Sequence, residues 1–253
     1  MADAASLLDL LEARTGIVCA VGAGGKKSLL RHLATAHPGR VAITATAFTT
    51  YFQEHLGFAI AVDDDERLPA AVAALDPATS VAYACPGSKP GRRAGVRPAT
   101  LERIHREGRF DATYVKADGA RMRLVKAPAE DEPAIPPSAT TVLPVLSAHA
   151  IGEPLGAKVA HRVEQIARVA GMNEGEIITP AHLGRLFGSP AGLLKSTEGR
   201  WVVPVINMVD DARLESQARE AAAVALGLTD RFDRVVLLSL ARSTNPLVAV
   251  VRR

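Results

Sequence analysis

A glycine-rich turn followed by two lysines lies near the start of the chain and has the composition of a phosphate-binding loop. It consists of Gly22, Ala23, Gly24, Gly25, Lys26, Lys27 and Ser28. Glycines let the backbone aim several N–H groups at one anion, and a following helix adds the positive end of its dipole. Lys26 adds a full charge. The pattern therefore predicts a site for the phosphates of ATP or GTP, and the alternative is a tight strand-to-helix turn with a solvated lysine.

This loop departs from the standard P-loop pattern G-x-x-x-x-G-K-[ST] at two positions. The first glycine of the pattern falls at Ala20, and Lys27 takes the place of the hydroxyl residue that normally holds magnesium. Ser28 follows one position later and reaches a metal only if the loop winds differently. The sequence therefore predicts phosphate binding without predicting a Mg²⁺ site.

A second polar group follows a predicted strand at residues 112–115. Lys116 ends this strand, and Asp118 begins a glycine turn. Ligands of doubly wound sheets meet the carboxyl ends of the strands, so we expect Asp118 near the glycine loop, where it could hold a metal or orient water. The alternative is a turn aspartate bonded to its own backbone. We assign Asp118 and Lys26 as the candidate catalytic pair.

The elements that must position these groups alternate between strands and helices. Short apolar runs predict strands at 17–21, 40–46, 80–84, 112–115, 140–146, 201–206, 235–240 and 247–251. Helical spacing predicts helices at 7–11, 28–36, 100–106, 159–170 and 212–225, and a Gly- and Pro-rich loop at 85–98. This order is typical of an α/β fold with a doubly wound, mainly parallel sheet. We predict one domain over residues 1–253, with a small helical subdomain at 151–196.

Composition and charge exclude several classes of function. The formal net charge of +3 is too small to indicate a polyanion partner, and the 4% of aromatic residues offer no stacking platform for nucleic acid. Cys19 and Cys85 lack the spacing of a zinc site or a redox pair. The N-terminus has no signal-peptide pattern, and no apolar run has the length of a membrane span. We therefore expect a cytoplasmic protein that binds neither nucleic acid nor membranes.

Several blocks of sequence resemble the YqeC family. They lie at residues 21–26, 117–120, 126–130 and 132–136, with later pieces at 161–162, 178–180, 192–195 and 206–210. The resemblance implies a P-loop nucleotide-binding accessory factor for the maturation of selenium-dependent molybdenum hydroxylases. The implied partners are such a hydroxylase or its cofactor-delivery proteins. The resemblance does not supply the reaction.

Four positions depart from the family pattern. Lys27 stands where the family has Thr, Lys116 replaces a Glu, Asp131 replaces a His and Met208 replaces a Lys. The first two changes make the site more positive by about three charges, which disfavours a divalent metal. We infer that Lys27 and Lys116 substitute for metal charge on phosphate oxygens. The alternative is that one or both lysines face solvent.

The last of these blocks adds Asn207 and Asp210 to the candidate nucleotide site. In GTPases the corresponding Asn-Lys-x-Asp segment reads guanine through its aspartate, so the resemblance points to guanine without establishing it. Other candidates are an anion-binding rim, an acidic run at 130–132 and two histidines suited to proton transfer, His149 and His161. The predicted rim would bind a second, phosphorylated substrate, and the alternative is a set of solvated charges; it consists of Arg121, Arg123, Lys126, Lys89, Arg92 and Arg93.

Three functions stay open at this point. The favoured one is a nucleotide-dependent maturation factor that hydrolyses NTP or transfers a phosphoryl group. The second is a non-hydrolysing module whose bound nucleotide regulates docking to a molybdenum enzyme. The third is a small-molecule kinase, for which the sequence locates no acceptor site.

Overall fold

The structure is a computed structural model that describes residues 4–50, 57–88, 90–242 and 245–253. Within these ranges the helices are α1 (Ala4–Leu10), α2 (Lys26–Ala36), α3 (Leu68–Ala73), α4 (Pro98–Glu107), α5 (Val163–Ala170), α6 (Pro180–Gly188) and α7 (Ala212–Leu228). The strands are β1 (Gly16–Gly22), β2 (Val41–Ala45), β3 (Thr49–Thr50), β4 (Ala59–Val62), β5 (Val81–Pro86), β6 (Arg92–Ala94), β7 (Ala112–Lys116), β8 (Val125–Lys126), β9 (Ala139–Ser147), β10 (Ala160–His161), β11 (Trp201–Val202), β12 (Val205–Asn207), β13 (Arg234–Leu238) and β14 (Leu247–Arg252). No helix in these ranges is long and apolar enough to cross a bilayer.

Most of the strands form one sheet with β1 near its centre. The strand order is β14-β13-β12-β9-β1-β7-β2-β5-β6-β3, with β11 beside β9 and β4 beside β5. Neighbouring strands from β13 to β5 run parallel. At the two ends of this order, β14, β6 and β3 pair antiparallel with their neighbours. A mainly parallel sheet connected by helices confirms the predicted α/β fold class.

Helices cover both faces of the central strand β1. Ile17, Cys19 and Val21 pack on one face in a cluster with α3 and α4. Val18 and Ala20 pack on the other face with α1 and α2. Because successive side chains of a strand point to opposite faces, a strand covered on both sides must be apolar throughout. This burial explains the uninterrupted apolar run before the glycine loop.

The predicted helical segment at 151–196 contains α5 and α6. Ile166 of α5 and Phe187 of α6 share one hydrophobic cluster with Ala221 of α7 and Val235 of β13. These helices therefore bury their apolar faces against elements of the main sheet. The two-stranded pair of β8 and β10 ties the start of this segment to residues 125–126.

Three boundaries differ from the predicted ones for local reasons. The predicted loop at 85–98 contains β6, which pairs with β5 and β3. The predicted strand at 201–206 is divided into β11 and β12 around Pro204, which has no N–H group for a sheet ladder. The predicted helix at 159–170 starts after Arg162, whose backbone is left-handed with a φ of 68°.

Candidate functional site

The glycine loop lies at the carboxyl end of β1, between the ends of β7 and β9. Its backbone is left-handed at Gly22, with a φ of 92°, and at Gly24, with a φ of 75°. A Cβ at Gly22 would lie 2.3 Å from the carbonyl oxygen of Val145, and one at Gly24 would lie 2.4 Å from the nitrogen of Ser147. Both conformation and space therefore require glycine, because the loop packs directly on the backbone of β9.

Three N–H groups of the loop are used within the protein. Gly22 donates to Asp118 Oδ2 at 2.9 Å, while Ala23 and Gly24 donate to backbone carbonyls at 2.8 and 3.2 Å. The next four, at residues 25–28, make no hydrogen bond to any described residue. They form the N-terminus of α2, which has no side-chain cap. The donors available to an anion are thus those of the helix end.

Behind this loop lies a chain of ion pairs that we call the charge cluster: Lys26, Asp118, Lys126, Glu132 and Arg162. Lys26 Nζ lies 2.9 Å from Asp118 Oδ1, and Lys126 Nζ lies 2.9 Å from Asp118 Oδ2 and 2.5 Å from Glu132 Oε2. Arg162 pairs with the same Glu132 oxygen. The first three side chains are at most 4% exposed. The candidate catalytic pair therefore belongs to a larger buried network.

Asp118 keeps one carboxylate oxygen without a hydrogen-bond donor. Its Oδ1 is close enough to Lys26 for an ion pair, but the contact lacks hydrogen-bond geometry. The Lys26 ammonium instead donates to the carbonyl oxygen of Gly22. A buried carboxylate oxygen with a free lone pair has capacity to accept a bond from a further group.

Lys116 occupies the carboxyl end of β7 and is 9% exposed. Its Nζ donates to the carbonyl oxygen of Phe48 at 2.7 Å. Burial lowers the pKa of Lys116 to about 7, and the repulsion of Lys26 contributes, although Asp118 opposes the change. Because Lys116 is buried, the alternative in which this side chain faces solvent is wrong. Lys27 is exposed, so the solvent-facing alternative holds for that residue, and its Nζ donates to Thr50 Oγ1 at 2.8 Å.

The site carries an excess of positive charge. The charge cluster and Lys116 together hold four cationic side chains and two carboxylates when all are ionised. Burial opposes ionisation of Glu132, but the hydrogen bonds and charges of Arg162 and Lys126 outweigh it and lower its pKa to about 2. Burial also lowers the pKa of Lys26, against the attraction of Asp118. An anion would balance this surplus.

The donor set does not fit a P-loop Mg²⁺ ion. Both oxygens of Asp118 lie 2.9 Å from an ammonium group, and Lys27 stands where a hydroxyl ligand belongs. Among the described residues, no three His, Cys, Asp or Glu side chains form a group suited to a metal. Mg²⁺ prefers oxygen ligands in octahedral geometry. The arrangement suits an anion better than a divalent cation.

Asn207 ends β12 and Asp210 follows this strand, on the other side of the loop. The buried Asn207 donates from Nδ2 to the carbonyl oxygen of Gly24 at 2.9 Å, so it supports the glycine loop. Asp210 is exposed; its Oδ1 accepts from Ser239 Oγ at 2.6 Å, and its Oδ2 lies 2.9 Å from His149 Nε2. The structure thus places these two predicted residues in different roles.

The predicted anion-binding rim is partly wrong. Lys126 is fully buried in the charge cluster, where two carboxylates satisfy it. Arg121 and Arg123 belong to the segment before β8, and Lys89 lies outside the described residues. His161 is next to the cluster, and burial with nearby positive charge lowers its pKa to about 4.

Sequence reasoning missed the connection from Lys126 through Glu132 to Arg162. The residues were visible only as parts of separate blocks at 126–130, 132–136 and 161–162. Ser239, which orients Asp210 from the end of β13, was also missed. No local pattern marks that serine, because its partner lies 29 residues earlier in the chain.

The family model described as YqeC protein matches residues 18–164. This range includes the glycine loop, Lys116 and the whole charge cluster, and it ends before Asn207. An Escherichia coli K12 protein, described as uncharacterized protein YqeC, is 30% identical over 196 residues. The match covers 76% of this chain and 75% of that protein. The chain therefore belongs to the YqeC family.

Proposed function

We propose that this protein binds the phosphates of a nucleotide, ATP or GTP, at the N-terminus of α2. The observation that carries the proposal is the row of N–H groups at residues 25–28, which lack partners among the described residues and lie beside a surplus of buried positive charge. Phosphates bind at helix N-termini because these donors and the helix dipole act together. The phosphate chain of one nucleotide would accept hydrogen bonds from these N–H groups and would balance the positive charge.

Lys26 and Asp118 are the residues we assign to the reacting phosphate. Lys26 belongs to the first turn of α2, among the open donors. Asp118 Oδ1 lacks a donor and is available to orient a water molecule. In hydrolysis that water would attack the terminal phosphorus, the bond to the nucleoside diphosphate oxygen would break, and the carboxylate would take the proton.

A non-hydrolysing nucleotide-regulated module is the second candidate. P-loop enzymes rely on Mg²⁺ to neutralise developing charge, and the donor set here does not fit that ion. Fixed ammonium groups stabilise bound phosphates without supplying the geometry of a metal ion. We therefore expect turnover to be slow compared with a standard P-loop enzyme.

Recognition of the base is assigned to Asp210 in this proposal. Its carboxylate is exposed and is held in place by Ser239 and His149. Guanine offers two adjacent N–H donors on its pairing edge, a match for a carboxylate, whereas adenine offers one amino group there. We therefore expect GTP to bind more tightly than ATP.

The cellular role in the proposal comes from the family resemblance. We infer an accessory factor that acts in the maturation of a molybdenum hydroxylase, including selenium-dependent forms. Nucleotide phosphates at the N-terminus of α2 would change the electrostatic environment of the charge cluster. Arg162, a member of this cluster, directly follows β10. A hydroxylase or one of its cofactor-delivery proteins is the implied partner.

Calorimetry with ATP and GTP tests the proposal. Lys26→Ala should weaken binding tenfold or more, about 1.4 kcal/mol, whereas Lys158→Ala, which removes an exposed lysine, should have little effect. Binding should survive a chelator, and phosphate release should be slow with or without magnesium. Equal affinity in wild type and Lys26→Ala would remove the proposal. Brisk magnesium-dependent release, abolished in Asp118→Ala, would reject the non-hydrolysing candidate.

A further inference from the structure

Two lysines reach the chain segment 48–50 on the side of the glycine loop away from Asp210, and an arginine lies opposite that segment. Lys116 Nζ donates to the Phe48 carbonyl oxygen at 2.7 Å, and Lys27 Nζ donates to Thr50 Oγ1 at 2.8 Å. Arg92 of β6 is the antiparallel register partner of Thr50. Both lysines therefore reach the short stretch 48–50, and Arg92 lies across from it.

The ammonium groups of Lys116 and Lys27 donate to neutral oxygens, where carboxylates are the usual partners. No carboxylate oxygen of a described residue lies within 4.0 Å of a charged nitrogen of Lys27, Lys116 or Arg92. A buried ammonium group is normally paired with a carboxylate, because a hydrogen bond to a neutral carbonyl offsets only part of the free energy lost on desolvation. Lys116 is 9% exposed and has one such carbonyl. This arrangement is one that an anion would complete.

The electrostatic effects within the group agree with its geometry. Burial lowers the pKa of Lys27, and Arg92 and Arg31 add repulsion. Burial likewise lowers the pKa of Lys116, with repulsion from Lys26, Lys126 and Lys27 and attraction from Asp118. Positive groups held together against repulsion are stabilised when a bound anion screens them.

We propose that Lys27, Lys116 and Arg92 form a second anion site, which takes a tetrahedral dianionic group such as the phosphate of a second substrate. This inference rests on the proposed nucleotide site and extends it. The nucleotide phosphates occupy the α2 N-terminus, with the base toward Asp210 beyond β9 and β12. The second group binds on the opposite side, toward β7, β2 and β5. Lys27 belongs to the first turn of α2 and links the two sites.

Sulfate is a suitable probe, because it is a tetrahedral dianion whose charge is constant over the useful pH range. Calorimetry at fixed ionic strength should show sulfate binding to protein saturated with nucleoside diphosphate, and equally with the matching triphosphate in chelator. Lys116→Met and Arg92→Gln should each weaken sulfate binding about tenfold. The exposed controls Lys158→Met and Arg106→Gln should change it by less than about twofold.

Each alternative outcome is distinct. If the triphosphate excludes sulfate, the three cations serve the terminal phosphate of the nucleotide, and the second site is refuted. If Lys116→Met and Arg92→Gln bind sulfate as wild type does, it is refuted as well. If no nucleotide binds, the proposed function fails, and sulfate alone then tests the site: sensitivity to Lys116→Met but not to Lys26→Ala supports it, and the reverse overturns it.

Discussion

The buried ammonium group of Lys116 destabilises the folded protein. Replacing Lys116 with methionine removes this group. Its pKa falls from an ordinary value of 10.5 to about 7, first because of burial and then because of Lys26, with smaller repulsion from Lys126 and Lys27 and an opposing attraction from Asp118. Each pH unit corresponds to about 1.4 kcal/mol. The charged form therefore costs the folded state roughly 5 kcal/mol at a pH below both values.

The sign of the pH dependence follows from proton binding. Below about pH 7 Lys116 is protonated in both the folded and the unfolded protein, so the folded protein carries the full free-energy cost of the buried charge. Between about pH 7 and 10.5 only the unfolded chain keeps the proton, so the wild type becomes more stable as pH rises. From about pH 6 to about pH 9 the wild type should gain roughly 3 kcal/mol relative to Lys116→Met.

Urea unfolding of both proteins at several pH values measures this difference. Comparison with Lys116→Met cancels the titration of all groups that the two proteins share. Lys158→Met, an exposed lysine variant, should show no such divergence from wild type. Buffers must lack phosphate and sulfate, because an anion at Lys116 would raise its pKa. A stability difference between wild type and Lys116→Met that stays flat from about pH 6 to 9 would refute the reasoning.

Two further predictions concern stability and have matched controls within the chain. Gly24→Ala should destabilise the protein by several kcal/mol and abolish nucleotide binding, because its Cβ meets Ser147 at 2.4 Å, whereas Gly119→Ala enters open space and should cost less than about 0.5 kcal/mol. Urea unfolding and calorimetry check both, and equal stability of the two variants would contradict the packing. Tyr83→Phe should leave stability unchanged or raise it by about 1 kcal/mol, because the Tyr83 hydroxyl is buried without a hydrogen bond. Tyr114→Phe should lower the free energy of unfolding by about 1 kcal/mol, because it removes a 2.8 Å hydrogen bond to a backbone carbonyl. A larger loss of stability in Tyr83→Phe than in Tyr114→Phe would be inconsistent with this explanation.

Local patterns were sufficient to predict the unit that carries the glycine loop. The apolar run at 17–21 became β1, and the segment at 28–36 lies within α2. Glycine positions and the periodicity of apolar residues indicate turns, strands and helices within a few residues of sequence. These elements can therefore be predicted without knowledge of the fold. The α/β class followed for the same reason, since alternating strands and helices have few stable arrangements.

The roles of individual polar residues within the site could not be read in this way. The expectation that the first glycines present their N–H groups to phosphate took no account of Asp118, which accepts from Gly22 across 96 positions of sequence. Lys126 was assigned to an exposed rim, although it is fully buried. Lysine has a long apolar stem, so its ammonium can lie at the surface or in the interior with the same local sequence.

The sequence by itself determined the position of the loop, the class of fold and the types of residue at the strand ends. Only the tertiary structure decided which of those residues meet. Its strand order places β7 beside β1, which brings Asp118 to Lys26, and places β12 next to β9 on the other side of β1, which brings Asn207 to Gly24. Burial and charge pairing depend on these neighbours, because the cost of an ion is set by the groups that surround it in space.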